Sequence, residues 1–183
     1  MIKIKPPFLR NAIAIAAIFI ATQASADEHS YKEVSGWRIF QNEKDCSAIA
    51  GFTDDEYVAF FYDASTKSTS VVFTDRDSTS LEEYEKRNLD IMLLKANGKL
   101  DDGWESTEFT VLVNDDDRRV FRSQSLDDPA LADFRGARAI GFFYKQKKIA
   151  SYDLAGSGAA LREVERCSQR IHNINPKDVF AGE

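Results

Sequence analysis

Histidine, cysteine, methionine and tryptophan each occur only twice in the 183 residues. With His29 and His172 as its only imidazoles and no C-x-x-C pair, the chain lacks a ligand series of the spacing that zinc sites use. It also lacks a Ser, acid and His in the order of a nucleophile-elbow hydrolase, because His172 precedes Asp178. Basic residues are outnumbered, 24 Lys+Arg against 30 Asp+Glu, for a net charge of −6. Nucleic acids and anionic membranes are held through clustered cations, so neither is an expected partner. There is no linker, low-complexity tract or internal repeat. Long apolar runs are absent too, with one exception.

That run, Ala12–Ala21 (AIAIAAIFIA), follows Lys3, Lys5 and Arg10 and precedes Ala24-Ser25-Ala26, and the first acidic residue is Asp27. Basic start, apolar stretch and small-residue site come in the order of a secretory signal peptide. A transmembrane helix needs about 20 apolar residues, roughly twice this length. We expect residues 1–26 to be a leader cleaved after Ala26, and residues 27–183 to be one exported globular domain, periplasmic or secreted. Its ordered core is expected over about 35–174. Asp27 stands where a lipoprotein would have cysteine, and no second apolar run is long enough to span a bilayer. Without the leader's three cations the net charge falls to about −9.

Cys46 and Cys167 both lie beyond the cleavage site. An even count in an oxidising compartment favours pairing. A metal site or a reactive thiol is the alternative, but neither cysteine has a neighbouring histidine. A Cys46–Cys167 bridge closes a loop of about 120 residues, worth about 4–5 kcal/mol on the chain-entropy account.

Short apolar runs separated by polar turns make up most of the rest. Trp37–Gln41, Cys46–Phe52, Tyr57–Tyr62 and Thr69–Thr74 read as successive strands. Tyr57–Tyr62 (YVAFFY) is apolar on both alternating faces, the pattern of a central strand covered on both sides. Ser80–Asn88 stays open between two readings. Ser80 and Glu83 can form a capping box for one or two helical turns, or the stretch is an irregular link into a strand at Leu89–Lys95. Asn97-Gly98 is the strongest hairpin signal and predicts a type I′ turn. Phe109–Val113 alternates cleanly, and Asn114–Asp117 reads as a turn into Val120–Arg122. Asp128-Pro129 opens a short helix. Ala137–Tyr144 and Ile149–Asp153 pair across a turn at Gln146-Lys147. Ser157 is then expected to cap the longest helix, running to Asn173 and stopped by Asn175-Pro176. Ala160, Leu161, Val164, Cys167, Ile171 and Ile174 recur on one of its faces. Together these elements predict a single α+β domain, mainly antiparallel β and sandwich- or barrel-like, with the C-terminal helix packed on it.

Val71 to Thr79 (VVFTDRDST), an apolar strand ending in D-x-D-x-T, resembles the first motif of haloacid-dehalogenase-like phosphatases. The resemblance implies Asp75 as phosphoryl-accepting nucleophile and Asp77 as general acid–base, with magnesium placed by the pair. That family requires a doubly wound parallel sheet, whereas the segments downstream read as antiparallel hairpins. A charged turn after a strand explains the same residues. Ala155-Gly156-Ser157-Gly158-Ala159 is similar to a nucleophile elbow, but a helix cap at Ser157 accounts for it without a triad. Nor is it a dinucleotide fingerprint, since Leu161 takes the third glycine's place. Asn114-Asp115-Asp116-Asp117 lacks the ligand series of an EF-hand and reads as a solvated turn. His29 falls in a tail, and Trp37 and Trp104 read as core or rim aromatics. No catalytic, cofactor-binding or metal-ligating residue is assigned, and the assigned pair is Cys46 with Cys167.

Trp37, Cys46 shortly after it, and Asp153 to Leu161 (DLAGSGAAL) before the helix bearing Cys167 form a recognisable layout. It resembles small exported proteins of Gram-negative, particularly alphaproteobacterial, bacteria of the invasion-associated locus B type. The resemblance implies a periplasmic or secreted accessory role and carries over no catalytic residue. Two functions of different class stay open. The favoured one is a non-enzymatic exported protein binding another protein or a cell-envelope component, which predicts an exposed apolar or aromatic patch. The other is a small metal-dependent, phosphatase-like hydrolase, which predicts Asp75 and Asp77 gathered in a concave pocket.

Overall fold

Hairpin turns build the molecule's local order. The computed structural model describes residues 30–172, apart from 43–44, 53–55, 76, 79, 115–116 and 128 and the side chains of 30, 31 and 102. Its strands are β1 (Ser30–Val34), β2 (Trp37–Gln41), β3 (Cys46–Gly51), β4 (Tyr57–Asp63) and β5 (Ser68–Asp75), then β6 (Lys86–Lys95), β7 (Leu100–Val113) and β8 (Arg119–Ser123), then β9 (Ala137–Tyr144) and β10 (Lys147–Asp153). Two helices are described, α1 (Pro129–Gly136) between β8 and β9 and α2 (Ser157–Ile171) at the end. The strands form one ten-stranded sheet in the order β1-β2-β3-β4-β5-β8-β7-β6-β9-β10. Every neighbouring pair is antiparallel. The expected α+β class, the antiparallel sheet and the packed C-terminal helix are all present.

Several turns differ from expectation in an instructive way. At Asn97-Gly98 the Gly98 N–H donates to the Lys95 carbonyl at 2.9 Å. Positive φ falls on Gly98 (78°) and not on Asn97. This is a three-residue loop with a left-handed closing residue, not a type I′ turn. The two-residue geometry with both φ positive occurs instead at Ser35-Gly36 (51° and 83°) and Lys145-Gln146 (49° and 66°). The last hairpin therefore turns one residue earlier than Gln146-Lys147, and β10 gains Lys147 and Lys148. The polar run Ser30–Val34 carries no apolar alternation, so β1 went unpredicted and is recruited by the Ser35-Gly36 turn. Ser80–Asn88 is not helical: it is an irregular link, and β6 already begins at Lys86. Asp115, Asp116 and Asp128 lie outside the described residues, as do residues 1–26, His29, Ile174 and Asn175-Pro176.

The sheet curls until its two halves face each other across one core. Register shifts interrupt the long β6–β7 ladder between Leu89 and Ile91 and between Ile91 and Leu93. Bulges of this kind bend a strand pair and increase its twist. The curl brings Phe73 of β5 onto Phe142 of β9, their rings stacked with centroids 3.8 Å apart. Phe109 and Phe121 are buried around them, and Phe60 is buried against Trp37 and Phe134. Tyr57–Tyr62, expected to be covered on both sides, is covered by core on one side only. Its other face joins a smaller cluster of Ala59, Val72 and Val120 edged by partly buried Ile49, Tyr57, Phe61 and Leu112. The Arg122 guanidinium sits over the Phe61 ring at 5.6 Å.

Helix α2 closes the inner face of the first half, against β2, β3 and β4. Ala160, Leu161, Val164 and Cys167 are buried, as their spacing predicts. Cys46 and Cys167 are joined, with Cα atoms 6.0 Å apart. The cap differs from expectation: Gly156, at φ 82°, holds the N-cap position and Ser157 is the first helical residue. The Ser157 hydroxyl donates instead to the Phe134 carbonyl of α1 at 3.4 Å.

Candidate functional site

Where β5 ends, its last side chain turns back on the chain. Asp75 is buried, its Oδ1 accepting from the Asp77 N–H at 3.2 Å and its Oδ2 from the Ser78 hydroxyl. Such an Asx-type turn is what aspartate does best at a strand end. The link beyond is fixed by the Leu81 carbonyl, which accepts from Arg119 Nε at 2.7 Å. Facing it stands the β9–β10 hairpin, whose register shifts between Lys148 and Ala150, leaving Ile149 at the irregularity and packed against the core.

Between the link and the hairpin lies a cleft of about 250 Å³. Its floor is apolar: Leu89 and Phe121 are at most 1% exposed. Leu81, Tyr144 and Ile149 form the walls, while Lys147, Lys148 and Arg87 stand with Asp77 and two serines at the rim. Arg87 is already paired with Glu85. Lys147 and Lys148 are exposed and form no ion pair with any described residue. A second hollow shares Asp75, Asp77, Lys148 and Ile149 and extends along the seam between β5 and β10.

That seam is closed by a side chain and not by a ladder. The Tyr152 hydroxyl donates to the Thr74 carbonyl, and its ring meets Phe52 at 5.2 Å. Burial, aided by the nearby carboxylates of Glu56 and Asp75, pushes this phenol well above its ordinary range, so it stays protonated and donating.

Asp75 and Asp77 do line one cleft, as a hydrolase would require. The setting is otherwise unlike the dehalogenase motif. β5 is antiparallel to both of its neighbours, so the doubly wound parallel sheet is not this fold. Among the described residues no group of three or more His, Cys, Asp or Glu side chains is placed to hold a metal ion. Ser157 and His172 sit at opposite ends of α2, about 22 Å apart along its axis, and His172 Nε2 faces Asp63 at 3.3 Å.

Sequence reasoning missed Lys147, Lys148, Tyr144 and Ile149 as a lining. The available signal was Lys145 to Lys148, a basic run at a hairpin tip in an acidic chain. Trp37, Gly156 and Cys46 converge as clamps on α2. Trp37 Nε1 donates to the Ala155 carbonyl at 2.9 Å, Gly156 abuts Ser35, and Cys46 binds Cys167. Compared with protein-family models, with curated proteins and with solved structures, the chain matches none.

Proposed function

We propose that this chain is an exported, non-catalytic binding protein, periplasmic or secreted, that takes a component of the cell envelope into the cleft between the β5–β6 link and the β9–β10 hairpin. One observation carries the reading: the cleft joins partly exposed apolar walls to a rim with two exposed lysines beside Asp77, while its one buried carboxylate is engaged in holding its own turn. Apolar walls of this kind supply affinity, and a few polar groups at the mouth supply orientation. The disulfide and the leader-like N-terminus support export, because such bridges persist in oxidising compartments. The accessory role implied by the locus B resemblance points the same way.

The hydrolase reading keeps one observation in its favour, the shared cleft of Asp75 and Asp77. A magnesium-dependent assay on p-nitrophenyl phosphate, with wild type and Asp75→Asn, separates the two. We expect no turnover by either; turnover lost in Asp75→Asn would overturn the binding reading. Export is tested by sequencing the N-terminus of the protein recovered from the periplasm or medium, expected to start at Asp27. A chain retained in the cytoplasm with its leader intact would sink that part.

A further inference from the structure

Resting on the reading of the cleft as a binding site, we infer that its ligand is a small amphiphilic anion, an acyl-type carboxylate with a single short apolar chain. The chain carries a net charge of −6, yet Lys147 and Lys148 stand side by side at the cleft mouth without an ion pair among the described residues. Other cations nearby are engaged: Arg87 with Glu85, and Lys86 with Glu108 at 2.8 Å. Arg119 serves the Leu81 carbonyl. The two lysines are thus the cations left for a ligand, and an ammonium pairs most strongly with an ionised oxygen acid. Asp75 is buried on the cleft's inner side and turned toward its own loop, where it accepts from the Asp77 N–H and the Ser78 hydroxyl, while Asp77 shares the rim with the two lysines.

Below the lysines the lining changes character within one side-chain length. Ile149, Leu81 and Tyr144 are partly exposed and form the apolar wall that a chain can cover, above Leu89 and Phe121, which the fold has already buried. An inorganic anion would leave that wall uncovered, and a neutral alkyl group would leave the lysines unused. The volume of about 250 Å³ suits one short chain and not a lipid with two. A carboxylate head at Lys147 and Lys148 with its chain against Leu81, Tyr144 and Ile149 satisfies both parts.

The test uses the exported full-length protein with its disulfide intact and three probes: octanoate, octanol and acetate, titrated by calorimetry. Octanoate should bind one to one, with octanol and acetate each about tenfold weaker or more. Lys147→Ala with Lys148→Ala should bring octanoate down to the affinity of octanol. Both side chains are exposed, so the thermal midpoint should hold and report an intact fold. Ile149→Ser should weaken octanoate and leave acetate unchanged. Octanol binding as well as octanoate, acetate binding as well as octanoate, or no saturable octanoate binding would each overturn the inference. Sedimentation with phosphatidylglycerol vesicles should leave the protein in the supernatant; co-sedimentation lost in the lysine variant would assign the lysines to a membrane surface instead. Phosphatase turnover that depends on Asp75 would defeat the non-catalytic reading whatever octanoate does, so the two failures are told apart.

Discussion

At the scale of single residues, Tyr152 does the most with one polar atom. Its ring fills core beside Phe73 and Phe142, and its hydroxyl supplies a hydrogen bond where β10 passes β5 without pairing. Tyr152→Phe keeps the ring and removes that bond, leaving a seam carbonyl one partner short. We expect a loss of about 1 kcal/mol in urea denaturation. The pH dependence has a definite sign. The folded phenol titrates above its unfolded value of about 10, so its contribution is full below pH 10 and is lost as pH rises beyond it. Tyr152→Phe should therefore show a shallower alkaline decline in stability than wild type. An equal decline in the two proteins would remove Tyr152 as its source.

Among the elements, α2 is held by contacts that its own sequence only half announces. Its apolar face was readable from three- and four-residue spacing, but its start was not. Ser157 looked like a cap, yet the cap position went to Gly156 because the chain must leave β10 and turn sharply over the β1–β2 turn. A Cβ at Gly156 would lie 2.5 Å from the Ser35 carbonyl oxygen, and φ 82° strains any L side chain. Gly156→Ala should cost about 2 kcal/mol or more, measured by denaturant midpoint. Ser157→Ala should cost less than the roughly 1 kcal/mol typical of losing a true N-cap, since its hydroxyl makes only a long bond to Phe134. A larger loss for Ser157→Ala than for Gly156→Ala would reverse this account of the helix start.

For the whole molecule, the bridge between Cys46 and Cys167 spans 121 residues and ties the last helix to the third strand. It encloses the inner meander, the cleft and both crossing connections. Replacing both cysteines with alanine relaxes the unfolded chain more than the folded one, at a cost of up to about 4–5 kcal/mol on the entropy account. Chemical denaturation of the double variant should show that drop. Mass spectrometry of the protein, alkylated without reduction, should find no free thiol. Two modified cysteines would remove the bridge from the working protein.

How much of this was legible follows from the range of each interaction. The strands other than β1, the hairpin pairs β6–β7, β7–β8 and β9–β10, the apolar face of α2 and the cysteine pair were readable, because each depends on alternation, helical spacing, a nearby turn or a count of thiols. The pairs β5–β8 and β6–β9 were not readable. They join segments far apart in sequence, and a β-strand's edge carries the same backbone donors and acceptors whatever strand comes to it. Those two pairs, with the bulges of β6–β7, make the sheet curl, and the curl brings the end of β5 to the β9–β10 hairpin. Asp75 and Asp77 were visible in the sequence as a motif. That they share a cleft with Lys147, Lys148, Leu89 and Phe121 was decided only in the tertiary structure, since its lining draws on β5, β6, β8, β9 and β10 together.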